Sequence, residues 1–156
     1  IISMKSKDFT SSHKSEEFFS ILKHEIGHIF FYAKFETSAP MWLNEGICSF
    51  YSTPKSGIIP SRKLNLLDNL SLDQMHTSMD FRAVDSLIRY ELVWIVVNEI
   101  ISKFGEEKLK RFIYILKDSS KKENVRSAFK EVFAKDIDSF WKNLTFETKN
   151  KVLLPK

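Results

Sequence analysis

The sequence predicts a mainly α-helical protein, folded as a compact helical domain. Three observations carry that prediction. Glycine and proline are scarce, four of each in 156 residues, so the chain lacks the punctuation that a loop-rich or all-β fold needs. Apolar residues recur three and four positions apart in one segment after another, which is the period of a helix face. The stretch 83–104 runs for about twenty residues without a breaker, too long for a strand. A hydrophobic content of 43%, with 14 phenylalanines and 3 tryptophans, supplies core material, and the length suits one domain.

Taken in order, residues 1–14 read as a strand or loop. Residues 1–5 are apolar and β-branched and fit the last strand of a truncated sheet, or equally a free terminus. Residues 6–15 are polar and serine-rich, which makes His13 a solvated loop residue. A helical domain then spans 15–148. It opens at Ser15, a serine cap followed by Glu16 and Glu17 in the first turn. Phe18, Ile21, Leu22, Ile26, Ile29, Phe30 and Tyr32 leave this first helix apolar on nearly every side, which predicts burial. Residues 35–40 connect to a second helix at about 41–51, with Trp42, Leu43 and Ile47 facing the core. Two prolines and a glycine mark 52–61 as a loop. Short helices follow at 64–70 and 72–75, and His76 reads as structural or exposed. The long helix over 83–104 is central, because the run from Leu92 to Val97 is apolar on every face, and Gly105 supplies its stop. Helices at 106–117, 124–134 and 136–144 close the domain with faces built on Phe112, Phe129 and Phe140. Residues 149–156 read as a frayed tail.

The net charge of +4 does not point to nucleic acid. Lysines alternate with glutamates and aspartates along helical faces, the pattern of solvated surfaces rather than of a binding patch. No apolar run approaches the roughly 18 residues of a membrane span, and no signal peptide is visible. With a single cysteine, Cys48, there is no intrachain disulfide framework, and a cytoplasmic location is favoured. The chain begins at Ile1 and not Met, so a segment removed from its start is compatible with the sequence.

The chemistry lies in His24-Glu25-Ile26-Gly27-His28, an H-E-x-x-H pattern. On a helix, residues four apart share a face, so two imidazoles so placed can reach one zinc ion. Glu25 then sits beside the metal, where it can take a proton from water. Gly27 removes a side chain and allows another segment to come close. Alone, these five residues also fit a charged helix face with two ordinary histidines. Hydrolytic zinc takes three protein ligands and keeps one position open. The run Pro40-Met41-Trp42-Leu43-Asn44-Glu45-Gly46 offers the third, Glu45, on a second helix that returns antiparallel to the first.

Together these two motifs resemble those of the gluzincin metallopeptidases, the thermolysin-like and aminopeptidase-like members of the peptidase MA-like superfamily. The resemblance runs from about Ser15 to Leu144. It implies a zincin-type helical catalytic domain, His24, His28 and Glu45 as ligands of one zinc ion, and Glu25 as catalytic acid and base. It extends to Tyr90 and to the turn at Phe104-Gly105-Glu106-Glu107-Lys108, since small relatives carry a tyrosine opening a helix that ends in such a turn. It also implies a substrate-binding edge strand beside the zinc helix, for which residues 1–5 are the candidate. The chain departs from the thermolysin-like pattern at Ser49, where those enzymes carry an acidic residue. It also lacks the Gly-x-Met-Glu-Asn strand of aminopeptidases, so neither exo- nor endopeptidase action is assigned.

The expected function is zinc-dependent hydrolysis of a peptide or protein substrate. Glu25 serves as general base, and Tyr90 either donates to the developing oxyanion or packs its ring in the core. Ser49, one turn beyond Glu45, is a candidate hydrogen-bond partner for a zinc histidine, and Cys48 reads as a small buried side chain. The alternative is a non-catalytic, zinc-stabilised binding module derived from such a domain.

Overall fold

The computed structural model describes residues 12–35, 39–53, 59, 61–116 and 120–153. Among them the structure is helical throughout, with no strand. Helix α1 (Ser12–Phe35) is followed by α2 (Met41–Ser52), by two 3-10 segments at Ser61–Asn69 and Leu72–Met75, and by α3 (Ser78–Ala83). Then come α4 (Ser86–Phe104), α5 (Glu106–Ile115), α6 (Lys122–Phe133) and α7 (Ile137–Leu153). None of these helices is long and apolar enough to cross a membrane.

Helix α4 is the centre, as its apolar run requires. Ile88, Leu92, Val93, Val96, Val97 and Ile100 are fully buried. On one side α2 packs against it, and α1 lies on the outer face of α2; on the other side α5, α6 and α7 follow in turn. The crossing of α2 over α4 is close because Gly46 faces it. A Cβ on Gly46 would stand 2.7 Å from the carbonyl oxygen of Val93 and 2.7 Å from a methyl of Val97. Beyond α4 the core is aromatic. Phe112 stacks on Trp42 at 6.5 Å and meets Phe129 and Phe133 at 5.6 and 5.4 Å.

The start of α2 is pinned by its neighbours. Pro40 has an extended backbone (φ −52°, ψ 138°), and its carbonyl accepts from the N–H groups of Leu43 and Asn44. The Met41 N–H donates at 2.8 Å to the carbonyl of His76, so this buried histidine contributes through its backbone to holding α2. The Arg126 guanidinium grips Asp73 with two hydrogen bonds of 2.9 and 3.0 Å and also reaches Asp138, tying α6 and α7 to the 3-10 region.

Several expectations are revised. Helix α1 is not buried. Phe31 is its buried large apolar residue, while Phe19, Ile29 and Phe30 are more than half exposed. An apolar circumference says that a helix has surface to hide, not that this chain hides it, and α1 packs chiefly on α2. The helix starts at Ser12, so His13 belongs to it and not to a loop. The long helix begins at Ser86 and not at residue 83, because Val84 is extended (ψ 141°) and separates it from α3. The last helix continues to Leu153, through much of the segment read as a tail. The strand expected at residues 1–5 lies outside the described residues.

Candidate metal centre

Antiparallel pairing of α1 and α2 follows from their contacts. Ser20 donates to the Ser52 carbonyl at one end, and Tyr32 meets Asn44 at the other. Gly27 makes the approach close: a Cβ there would stand 3.1 Å from the Cys48 sulfur. The H-E-x-x-H glycine thus does what its lack of a side chain suggested.

This pairing brings three side chains to one point. The Nε2 atoms of His24 and His28 are 3.1 Å apart. The Glu45 Oε2 lies 3.1 Å from the first and 3.7 Å from the second. His24, His28 and Glu45 are the candidate metal-ligating group found among the described residues. Glu45 is only 6% exposed, and a carboxylate so placed needs compensation by a cation or by donors.

The hydrogen bonds around the triangle set its chemistry. His28 Nδ1 is 3.0 Å from Asn44 Oδ1, an acceptor, so the ring proton sits on Nδ1. In the neutral ring this leaves the Nε2 lone pair directed into the triangle. The Asn44 amide nitrogen donates in turn to the Tyr32 hydroxyl at 3.2 Å, and the Cys48 thiol donates to its Oδ1 at 3.7 Å. Asn44 therefore orients His28, a role expected of Ser49; no hydrogen bond links Ser49 to either histidine among the described residues. The signal for Asn44 was a polar side chain in an otherwise apolar helix, directly before Glu45. Cys48 Sγ lies 3.3 Å from His28 Nδ1, but burial, with the charges of Glu45 and Glu25, pushes its thiol up to about 12. It is a protonated thiol at neutral pH, as its small buried character implied.

Glu25 and Tyr90 share a cavity with His24. This space of about 360 Å³ lies between α1, the end of α2 and α4, and Ser49, Thr53 and Glu91 also line it. Glu25 is exposed to it. Tyr90 is 40% exposed, so it is not simply a core ring. Its ring meets that of His24 edge-on at 6.4 Å and that of Phe81 at 5.5 Å, with the Arg89 guanidinium 5.1 Å from its centre.

Three donor atoms of the right type, two imidazole nitrogens and a carboxylate oxygen, thus converge from two helices beside an open cavity that holds an acid and a phenol. No protein-family model, curated protein or solved structure matches the chain.

Proposed function

We propose that the chain is a zinc-dependent metallopeptidase of the gluzincin kind, holding one zinc ion through His24, His28 and Glu45. The observation that carries this reading is the triangle itself. Its corners, with sides of 3.1, 3.1 and 3.7 Å, lie about 1.9 Å from a common centre, slightly less than the roughly 2.0–2.1 Å of zinc bonds to histidine and carboxylate. His24, His28 and Glu45 would therefore hold one ion together. Two imidazoles and a carboxylate also form a known catalytic donor set for zinc. When bound, zinc supplies Lewis acidity and lowers the pKa of water to about 7.

The chain's own residues supply the rest. Asn44 keeps the proton on His28 Nδ1, so that Nε2 remains a ligand. Glu25, facing the cavity, accepts the proton of the attacking water and returns it to the leaving amine. Tyr90, which lines the same cavity from α4, donates its hydroxyl proton in a hydrogen bond to the oxyanion of the tetrahedral intermediate. The test is Glu25→Gln assayed against a mixed peptide digest. The variant should retain its zinc and lose at least the roughly 10²–10⁴-fold that general acid–base catalysis provides. Unchanged cleavage would remove the mechanism.

The second reading, a zinc-stabilised binding module without catalysis, is favoured by one observation. Helix α1 contributes Phe31 to the core and leaves much of its apolar surface open, so a metal bridging α1 and α2 would serve to hold α1 in place. Zinc binding without cleavage of any peptide would select this reading.

A further inference from the structure

We infer that Arg89 is a positioning residue, which holds the Tyr90 ring against His24 at the edge of the cavity. The inference rests on the peptidase reading above and deepens it, because a phenol can serve an oxyanion only from a fixed place. Burial does not fix Tyr90, which is 40% exposed. Three neighbours define where its ring lies. His24 meets it edge-on at 6.4 Å, Phe81 meets it edge-on at 5.5 Å, and the Arg89 guanidinium stands over it at 5.1 Å.

Arg89 and Tyr90 are consecutive on α4, and adjacent residues of a helix do not face each other. The contact between them therefore has its cause outside the helix, at the break between α3 and α4. Val84 is extended there, and the last carbonyls of a helix lack partners within it. Arg89 reaches back to this break. Its Nη1 donates to the Arg82 carbonyl at 3.0 Å and to the Val84 carbonyl at 3.3 Å.

Pinned to the backbone in this way, the guanidinium lies against two rings, 5.4 Å from the centre of Phe81 and 5.1 Å from that of Tyr90. A cation over an aromatic face is attracted to it, and a planar guanidinium also stacks on it. Phe81 is only 1% exposed and already fixed by the core, so the ring that this clamp positions is that of Tyr90. The Arg89 Nε is buried without a hydrogen-bond partner among the described residues. A donor left so is costly, and the pose persists because two carbonyls and two rings together determine it.

Arg89→Met in the full chain tests the inference, since it removes the donors and the charge and keeps an unbranched apolar stem. By nuclear magnetic resonance, the parent should show Overhauser contacts from the Tyr90 ring to the rings of His24 and Phe81, and the contact to His24 should be lost in Arg89→Met. In the zinc-loaded chain the same variant should lower kcat about tenfold to a hundredfold, the cost of a misplaced group, with KM and zinc content nearly unchanged. In a Tyr90→Phe background it should cost less than about twofold, because Arg89 acts through the Tyr90 hydroxyl. Arg89→Gln carries the same predictions should the methionine variant lose its helicity. A Tyr90–His24 contact that is absent from the parent or unchanged in the variant would overturn the inference, as would equal losses of kcat in the two backgrounds. If the parent cleaves no peptide, the peptidase reading falls and the ring contacts alone judge Arg89. If the parent cleaves and the contacts survive Arg89→Met, the peptidase reading stands and this inference falls.

Discussion

Gly46→Ala probes the helix crossing on which the candidate site is mounted. The added methyl would sit 2.7 Å from the Val93 carbonyl oxygen and 2.7 Å from the Val97 methyl. One of those neighbours is backbone of the fully buried centre of α4 and cannot swing aside, so α2 and α4 must separate. Overpacking of this kind costs about 1–3 kcal/mol, against which alanine's better helix propensity returns about 1 kcal/mol. With two contacts at 2.7 Å, one of them to backbone, the cost belongs in the upper part of that range, about 2–3 kcal/mol, so the net loss should be about 1–2 kcal/mol, a fall in Tm of roughly 2–8 °C for a chain of this size. Gly27→Ala is the internal control. Its methyl meets the Cys48 sulfur at 3.1 Å, a contact that a small rotation relieves, so propensity and crowding nearly cancel and stability should change by less than about 0.5 kcal/mol. Thermal unfolding followed by far-ultraviolet circular dichroism, in chelator so that metal binding adds nothing, compares the two. A Gly46→Ala chain as stable as the parent, or less affected than Gly27→Ala, would refute the close crossing. Because Glu45 is the preceding residue, the same displacement should also weaken zinc binding.

Asn44→Ala removes the acceptor for His28 Nδ1–H and should weaken zinc affinity by about 10–100-fold without abolishing it, measured by chelator competition; an unchanged affinity would show that Asn44 does not orient the ring. Asp73 predicts an acid limit to stability. Burial alone would raise its pKa, but the Arg126 hydrogen bonds and charge outweigh burial and hold it below 3.8. A carboxylate depressed in the folded state stabilises the fold above its unfolded pKa, and that contribution is lost as the pH falls through the folded value. Denaturant titrations of the parent should therefore lose more stability on acidification below about pH 4 than those of Asp73→Asn, and parallel curves would contradict the assignment. Cys48, with its thiol at about 12, should alkylate with iodoacetamide at pH 8 far more slowly than a free cysteine, and reaction at the free rate would place it outside the interior described here.

The parts of this structure that the sequence announced are those governed by local periodicity. Helices carrying Leu92, Phe112 and Phe129 were legible because a face repeating every three or four residues has one stable solution. The convergence of His24, His28 and Glu45 was legible for the same reason: the spacing of His24 and His28 is a property of a single helix, and Glu45 needed only one antiparallel return. What failed depends on neighbours. Nothing in the α1 pattern says whether another element covers Ile29 and Phe30, and they are exposed. The extension of α7 through Lys149 and Asn150 was hidden by their polarity, although Thr148 is buried and donates to the Leu144 carbonyl at 2.8 Å. The break at Val84 lay inside a continuous apolar pattern. Asn44 was passed over because the partner of a buried amide, here an imidazole on another helix, is set by tertiary contact and not by spacing.

The most direct test of the central claim is metal content. Purified chain loaded with zinc and dialysed should retain about one zinc ion per molecule by elemental mass spectrometry, and His24→Ala, His28→Ala and Glu45→Ala, each still helical by circular dichroism, should retain almost none. Zinc retained equally by the parent and by all three variants, or by none of them, would contradict it.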